Sequence, residues 1–168
     1  MATRPIVIYG DPVLREVSRS VETIDQEVKD LVFSMVDTLK EAKGLGLAAN
    51  QVGVAIRLFL VDLSAIDINE TLSVFINPEI IETEGSVELE EGCLSFPDMY
   101  LKIVRPEKVR IQATDLDGKR FEMTAEGMAA RAILHEYDHI EGKLYVDRLS
   151  PLARTMLKGR LKKLATAS

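Results

Sequence analysis

The segment 125–141 most constrains how this chain can fold. Met128, Ala129, Ala130, Ala132, Ile133 and Leu134 are apolar nearly all round a helix axis. Such a helix is buried on most sides rather than laid on a surface. Gly142 follows in the place of a helix-ending glycine. The same helix carries His135-Glu136-Tyr137-Asp138-His139. Imidazoles and carboxylates are costly in such a setting unless they find partners.

Other elements follow from pattern and punctuation. Residues 25–43 read as a helix: Asp25 is the N-cap, Ile24, Val28, Leu31, Val32, Met35 and Leu39 recur at helical spacing, and Gly44 ends it. Gly44–Gly53 is too glycine-rich for a regular element. Strands are expected over 56–62 and 73–77. Glu79–Glu84 and Val87–Glu90 are expected to pair across Gly85-Ser86, and 108–115 and 119–124 flank the hairpin signal Asp117-Gly118. Ser150-Pro151 opens a last helix to about Leu164. Strands grouped between an early helix and two late ones indicate an α+β fold.

At 168 residues the chain is expected to form a single catalytic domain, 1–168, with 150–168 as a basic C-terminal helix within it. Residues 1–147 hold 15 basic and 27 acidic side chains, a charge of −12, whereas Arg148, Arg154, Lys158, Arg160, Lys162 and Lys163 give the tail +6. An acidic body argues against free nucleic acid as a partner. No apolar run approaches the ~18–20 residues of a membrane span, and the apolar stretch before Asp11 is shorter than a signal peptide is expected to need. With a lone Cys93, a cytoplasmic location is expected, or that of a mature organellar protein.

The chemistry centres on HExxH. Residues four apart on a helix lie one above the other, so both imidazoles can reach one metal ion. Glu136 sits about 100° round the axis, near enough to reach a metal-bound water. A catalytic site usually has three protein ligands and an open position. No histidine remains for the third. Cys93 is the strong donor left, with Asp147 and Glu141 as weaker alternatives. Gly44, Gly46 and Ala49 mimic a dinucleotide fingerprint. That fingerprint needs a strand before and a helix after, the reverse of the expected order, so no cofactor-binding loop is assigned. The glycines more plainly let a backbone lie close to an extended peptide, and Gln51 could donate to a developing oxyanion. Leu45, Leu89 and Met128 are the candidates by position for an apolar substrate pocket.

Three segments together, GLGLAANQ (44–51), EGCLS (91–95) and HEYDH (135–139), resemble the motifs of the peptide deformylases, and Asp11-Pro12-Val13-Leu14-Arg15 is similar to that family's start. The likeness covers nearly the whole chain and points to the short bacterial type. It implies antiparallel sheets packed around a central helix carrying HExxH. It implies a divalent metal on Cys93, His135 and His139, Fe2+ in many members, with Zn2+, Ni2+ or Co2+ able to replace it. Glu136 would move the proton, and Gln51 with the Leu94 backbone N–H would hold the oxyanion. Gly44, Leu45 and Gly46 would line the substrate, with Leu45 and Gly46 pairing it as an added strand. The implied reaction is hydrolysis of formyl-methionyl peptides to formate. The basic tail would help the chain dock at the ribosome. Leu134 stands where many members have glutamine, and Tyr100 where some have arginine.

Overall fold

The computed structural model describes residues 2–167. Helix α1 (Gln26–Ala42) starts where Asp25 accepts a hydrogen bond from the Val28 N–H. It ends one residue earlier than the sequence suggests, because Lys43 rather than Gly44 takes the left-handed position, at φ 56°. The glycine-rich stretch is more regular than expected. It forms strand β1 (Gly46–Ala48) and a 3-10 turn, Ala49–Val52. Strand β2 (Leu58–Asp62) follows, then β3 (Leu72–Glu84), β4 (Val87–Cys93), β5 (Phe96–Arg105), β6 (Lys108–Thr114) and β7 (Arg120–Glu126). Helix α2 (Gly127–Ile140) carries HExxH, and α3 (Pro151–Thr166) closes the fold, capped by Ser150.

Five strands form an antiparallel sheet in the order β1-β2-β3-β6-β7, and β4 and β5 form a second, two-stranded sheet. The 73–77 and 79–84 segments are thus one long strand with an irregularity around Asn77, whose φ is 49°. The expected pairing across Gly85-Ser86 does not form. Glu79–Glu84 pairs with β6, while Val87–Cys93 turns into the second sheet and pairs with β5, a strand not foreseen in the sequence. The Asp117-Gly118 hairpin forms as expected.

Strand β2 shows how the layers are set. Phe59 and Val61 pack toward α2, whereas Leu58 and Leu60 pack toward α1, and all four are fully buried. Its continuous apolar run reflects this burial on both faces. On its other side, α2 meets the β4–β5 sheet, since Arg131 donates to the carbonyls of Val87 and Ile103. A third cluster gathers Leu14, Phe96, Ile103, Tyr145 and Leu161 under the small sheet.

The segment before α1 ties these layers together. The Val7 N–H donates to Gln51 O, Tyr9 N–H to Ser95 O, and Ser18 N–H to Ile140 O. Each acceptor lies in or beside one of the three motif segments. Gly142 completes the junction. At φ 74° it occupies left-handed space, and a Cβ there would fall 2.7 Å from the Arg15 carbonyl oxygen.

Gly142→Ala combines left-handed strain with that clash and should lower stability by about 2 kcal/mol or more, roughly 4–8 °C in Tm for a domain of this size. Gly159→Ala, in α3 with no atom near the added methyl, should instead gain about 0.5–1 kcal/mol. Thermal melts of both variants check the opposite signs.

Candidate active site

Three potential ligand atoms converge where α2 passes β4. Cys93 Sγ and the two imidazoles offer atoms all within 4.8 Å of one another. His139 Nε2 lies 3.4 Å from Cys93 Sγ and 3.3 Å from His135 Nε2. Two facing imidazole nitrogens and a sulfur at this spacing suit a soft to borderline divalent ion. The alternatives to Cys93 are engaged elsewhere. Asp147 pairs with Arg15 and Arg154, and Glu141 with Arg57.

His135 is oriented by a buried charge network. Its Nδ1 lies 2.5 Å from Glu91 Oε2. Glu91 also accepts from Arg105 (2.7 and 2.8 Å) and Arg131 (2.9 Å). Arg105 extends to Asp138, which Arg148 grips with two bonds of 2.7 Å. Burial alone would raise the Glu91 pKa, but hydrogen bonds from Arg105 and His135 hold it well below the usual carboxylate range. Asp138 is lowered likewise, Arg148 and Arg105 outweighing its burial. His139 is lowered, by burial first and then by His135 beside it, which favours the neutral, ligating form.

Glu136 faces the same space. Burial pushes its pKa up to about 7, an effect that neighbouring His135 partly opposes. A carboxylate there is matched to proton exchange near neutral pH. Its approach depends on Gly46, where a Cβ would fall 2.6 Å from Glu136 Oε2. Gln51 is fixed from both ends: its Oε1 accepts from the Ala48 N–H (2.9 Å), so Nε2 is the end that meets Ser95 Oγ (3.1 Å) and Cys93 Sγ (3.8 Å). Leu94 lies in the tight turn between β4 and β5.

A cavity of about 430 Å³ opens on this cluster. Gly44, Leu45 and Gly46 form one wall, and Met128, Arg131 and Ala132 part of another. Strand β1 is at the sheet's edge, so its outer side can receive an extended chain. Leu89 does not line this cavity. It is 40% exposed on the small sheet, whereas Leu45 and the similarly exposed Met128 do line the cavity. Tyr100, 67% exposed, stands at the rim. Leu134 packs into the core between α2 and the large sheet, away from the cavity lining. Glu91, Arg105, Arg131 and Asp138 are supports that motif reading misses. Arg131, a charge within the predicted apolar helix, was the available signal; Arg105 lay outside every predicted element.

Glu91→Gln leaves two buried guanidinium groups short of a counter-charge and should cost about 3 kcal/mol or more. The pKa values of Glu91 and Asp138 are depressed on folding. Their stabilisation is therefore complete above about pH 5, where both groups are ionised even in the unfolded chain, and is lost progressively as pH falls from there toward the folded values. Denaturation midpoints from pH 7 to 3 should fall steeply for the native chain and less steeply for Glu91→Gln. Parallel slopes would contradict this assignment.

The polypeptide deformylase family model matches residues 3–155. A peptide deformylase of Mesorhizobium japonicum is 45% identical over 98% of this chain and 94% of its own length. One of Acidobacterium capsulatum is 46% identical over 99% and 98%. A crystal structure of a peptide deformylase from Legionella pneumophila superposes with a TM-score of 0.89 at 46% identity, covering 96% of this chain and 95% of that one. The peptide deformylase from Thermus thermophilus gives 0.91 at 37% identity over 99% of both. With its converging thiol and imidazoles, its edge strand and this full-length likeness, the chain belongs to the polypeptide deformylase family.

Proposed function

We propose that Cys93, His135 and His139 hold one divalent metal ion, that Glu136 carries the proton, and that Gln51 Nε2 and the Leu94 N–H stabilise the oxyanion. Gly44, Leu45 and Gly46 receive the substrate. The enzyme is a metal-dependent hydrolase that removes the N-terminal formyl group from formyl-methionyl nascent peptides. The observation that carries the residue assignment is the convergence of the only cysteine and only two histidines of the chain beside a buried, high-pKa glutamate.

A bound divalent ion supplies Lewis acidity, polarising a carbonyl and lowering the pKa of water. Fe2+ is the ion we favour as native, on the family resemblance, with Zn2+, Ni2+ or Co2+ as substitutes; a thiolate and two imidazoles suit these ions alike. The peptide lies along the free edge of β1 with its formyl end toward Glu136. Glu136 accepts the proton of the attacking water and returns it to the amine as the C–N bond breaks, leaving formate and a free amino terminus. Negative charge develops on the formyl oxygen. Gln51 needs no reorganisation to meet it, because Ala48 and Ser95 already fix its amide.

Residues 1–168 act as one catalytic domain in this reading. Among the described residues no helix is long and apolar enough to cross a membrane, and we favour the cytoplasm. Helix α3 supports ribosome docking. Leu161 is buried, and Leu157 and Leu164 pack on the core, but Leu152 and Met156 are exposed, as are Lys158, Lys162 and Lys163.

Glu136→Ala should retain metal and cut formate release from a formyl-Met peptide by about 10²–10⁴-fold or more. Unchanged turnover would overturn its role. Charge reversal at Lys158, Lys162 and Lys163 should abolish co-sedimentation with ribosomes at low salt, with deformylation of a free peptide unchanged. Full co-sedimentation would remove α3 from docking.

A further inference from the structure

Gln51 and both histidines have assigned work, but the fully buried Asn50 beside Gln51 does not. Its Nδ2 donates to the backbone carbonyl of His139 at 2.6 Å, across 89 residues of sequence. That bond joins the 3-10 turn carrying Gln51 to the end of α2. Its other polar atom, Oδ1, has no direct protein partner. Two further buried polar atoms at the same end of α2 share this condition: His139 Nδ1 and Ser18 Oγ. Ser18 is bonded there through its backbone N–H to Ile140 O, the next carbonyl along.

The chemistry of these three atoms is complementary. A neutral histidine that ligates through Nε2 carries its proton on Nδ1, and that N–H needs an acceptor. For His135 the acceptor is Glu91. For His139, the carboxamide oxygen of Asn50 and the hydroxyl of Ser18 offer acceptor capacity at the same helix end. None of the three is in direct hydrogen-bond contact with a protein group, and a buried water typically joins about three such groups.

We infer that Asn50 is a positioning residue for His139. Its Nδ2 holds the ligand's backbone, and its Oδ1, through one buried water shared with Ser18 Oγ, accepts the His139 Nδ1–H. The two metal-proposed histidines then have unlike supports, a charged one for His135 and a neutral one for His139. A neutral acceptor leaves His139 a weaker donor to the ion than a carboxylate partner would. It also adds no second buried negative charge near Glu136. This inference rests on His139 being a ligand through Nε2.

The test uses full-length, zinc-loaded protein labelled with 15N at histidine; with only two histidines in the chain, both Nδ1 signals are assignable by comparison with Glu91→Gln. In the native chain the His139 Nδ1–H should exchange slowly with solvent. Asn50→Leu should expose it to fast exchange and weaken zinc about 10–100-fold by chelator competition, with a smaller fall in the Tm of the metal-free protein than of the zinc form. Ser18→Ala, a smaller change, should weaken zinc several-fold and speed the same exchange. Unchanged zinc affinity and exchange in either variant, or equal Tm losses with and without zinc, would overturn the inference. If zinc leaves the His139 Nε2 resonance of the native protein unmoved, the ligand assignment itself fails, and that outcome is separately visible. Should Asn50→Leu not fold, Asn50→Asp takes its place. It keeps an acceptor but loses the Nδ2 bond, so it should retain slow exchange better than it retains zinc affinity, and loss of neither would count against Asn50.

Discussion

One carboxylate holds the site together. Glu91 pairs with two guanidinium groups that are each only 2% exposed and at the same time holds the His135 ring through Nδ1. Isolated arginines could not lie at that depth. With Glu91 in place, Arg131 can reach back to the carbonyls of β4 and β5, and Arg105 can reach forward to Asp138 on the helix itself. The small sheet and the HExxH helix are therefore joined by charge, whereas the large sheet and the same helix are joined by apolar packing. An arrangement that is ionic on one side and greasy on the other fixes the rotation of α2 about its axis, and with it the direction in which both imidazoles point.

The opposite ends of the chain serve the same purpose by other means. The early segment uses backbone N–H groups to tie the loop of Gln51, the turn after Cys93 and the end of α2. Helix α3 packs its Leu161 side over that segment within the cluster that also touches Cys93. The groups proposed for catalysis and metal binding thus sit on three separate elements but share one strap.

Much of this was legible in the residues. HExxH on an apolar helix, a lone cysteine and a glycine-rich loop pointed to residues that the fold does bring together, since each is a local pattern with a chemical reason. Helix caps at Asp25 and Ser150, the stop at Gly142 and the Asp117-Gly118 hairpin were equally local. What escaped was non-local. Gly85-Ser86 looks like a hairpin turn, yet the strands on either side belong to different sheets. Strand β5 alternates buried and exposed residues, but Pro97, Asp98 and a buried Arg105 disguise it. Leu89 shares a face of the small sheet with the buried Glu91 and Ile103, yet it stays 40% exposed, which its apolar character does not announce. The ties made by Val7, Tyr9 and Ser18 use main-chain atoms and leave no trace in side-chain identity.

The central claim is that a thiolate and two imidazoles from this chain share one ion. X-ray absorption on protein loaded with a single equivalent of zinc measures that directly. The account predicts one sulfur neighbour at about 2.3 Å and two imidazole nitrogens at about 2.0–2.1 Å, the remaining neighbour being a light atom. A spectrum with no sulfur neighbour, or with fewer than two imidazoles, would contradict it.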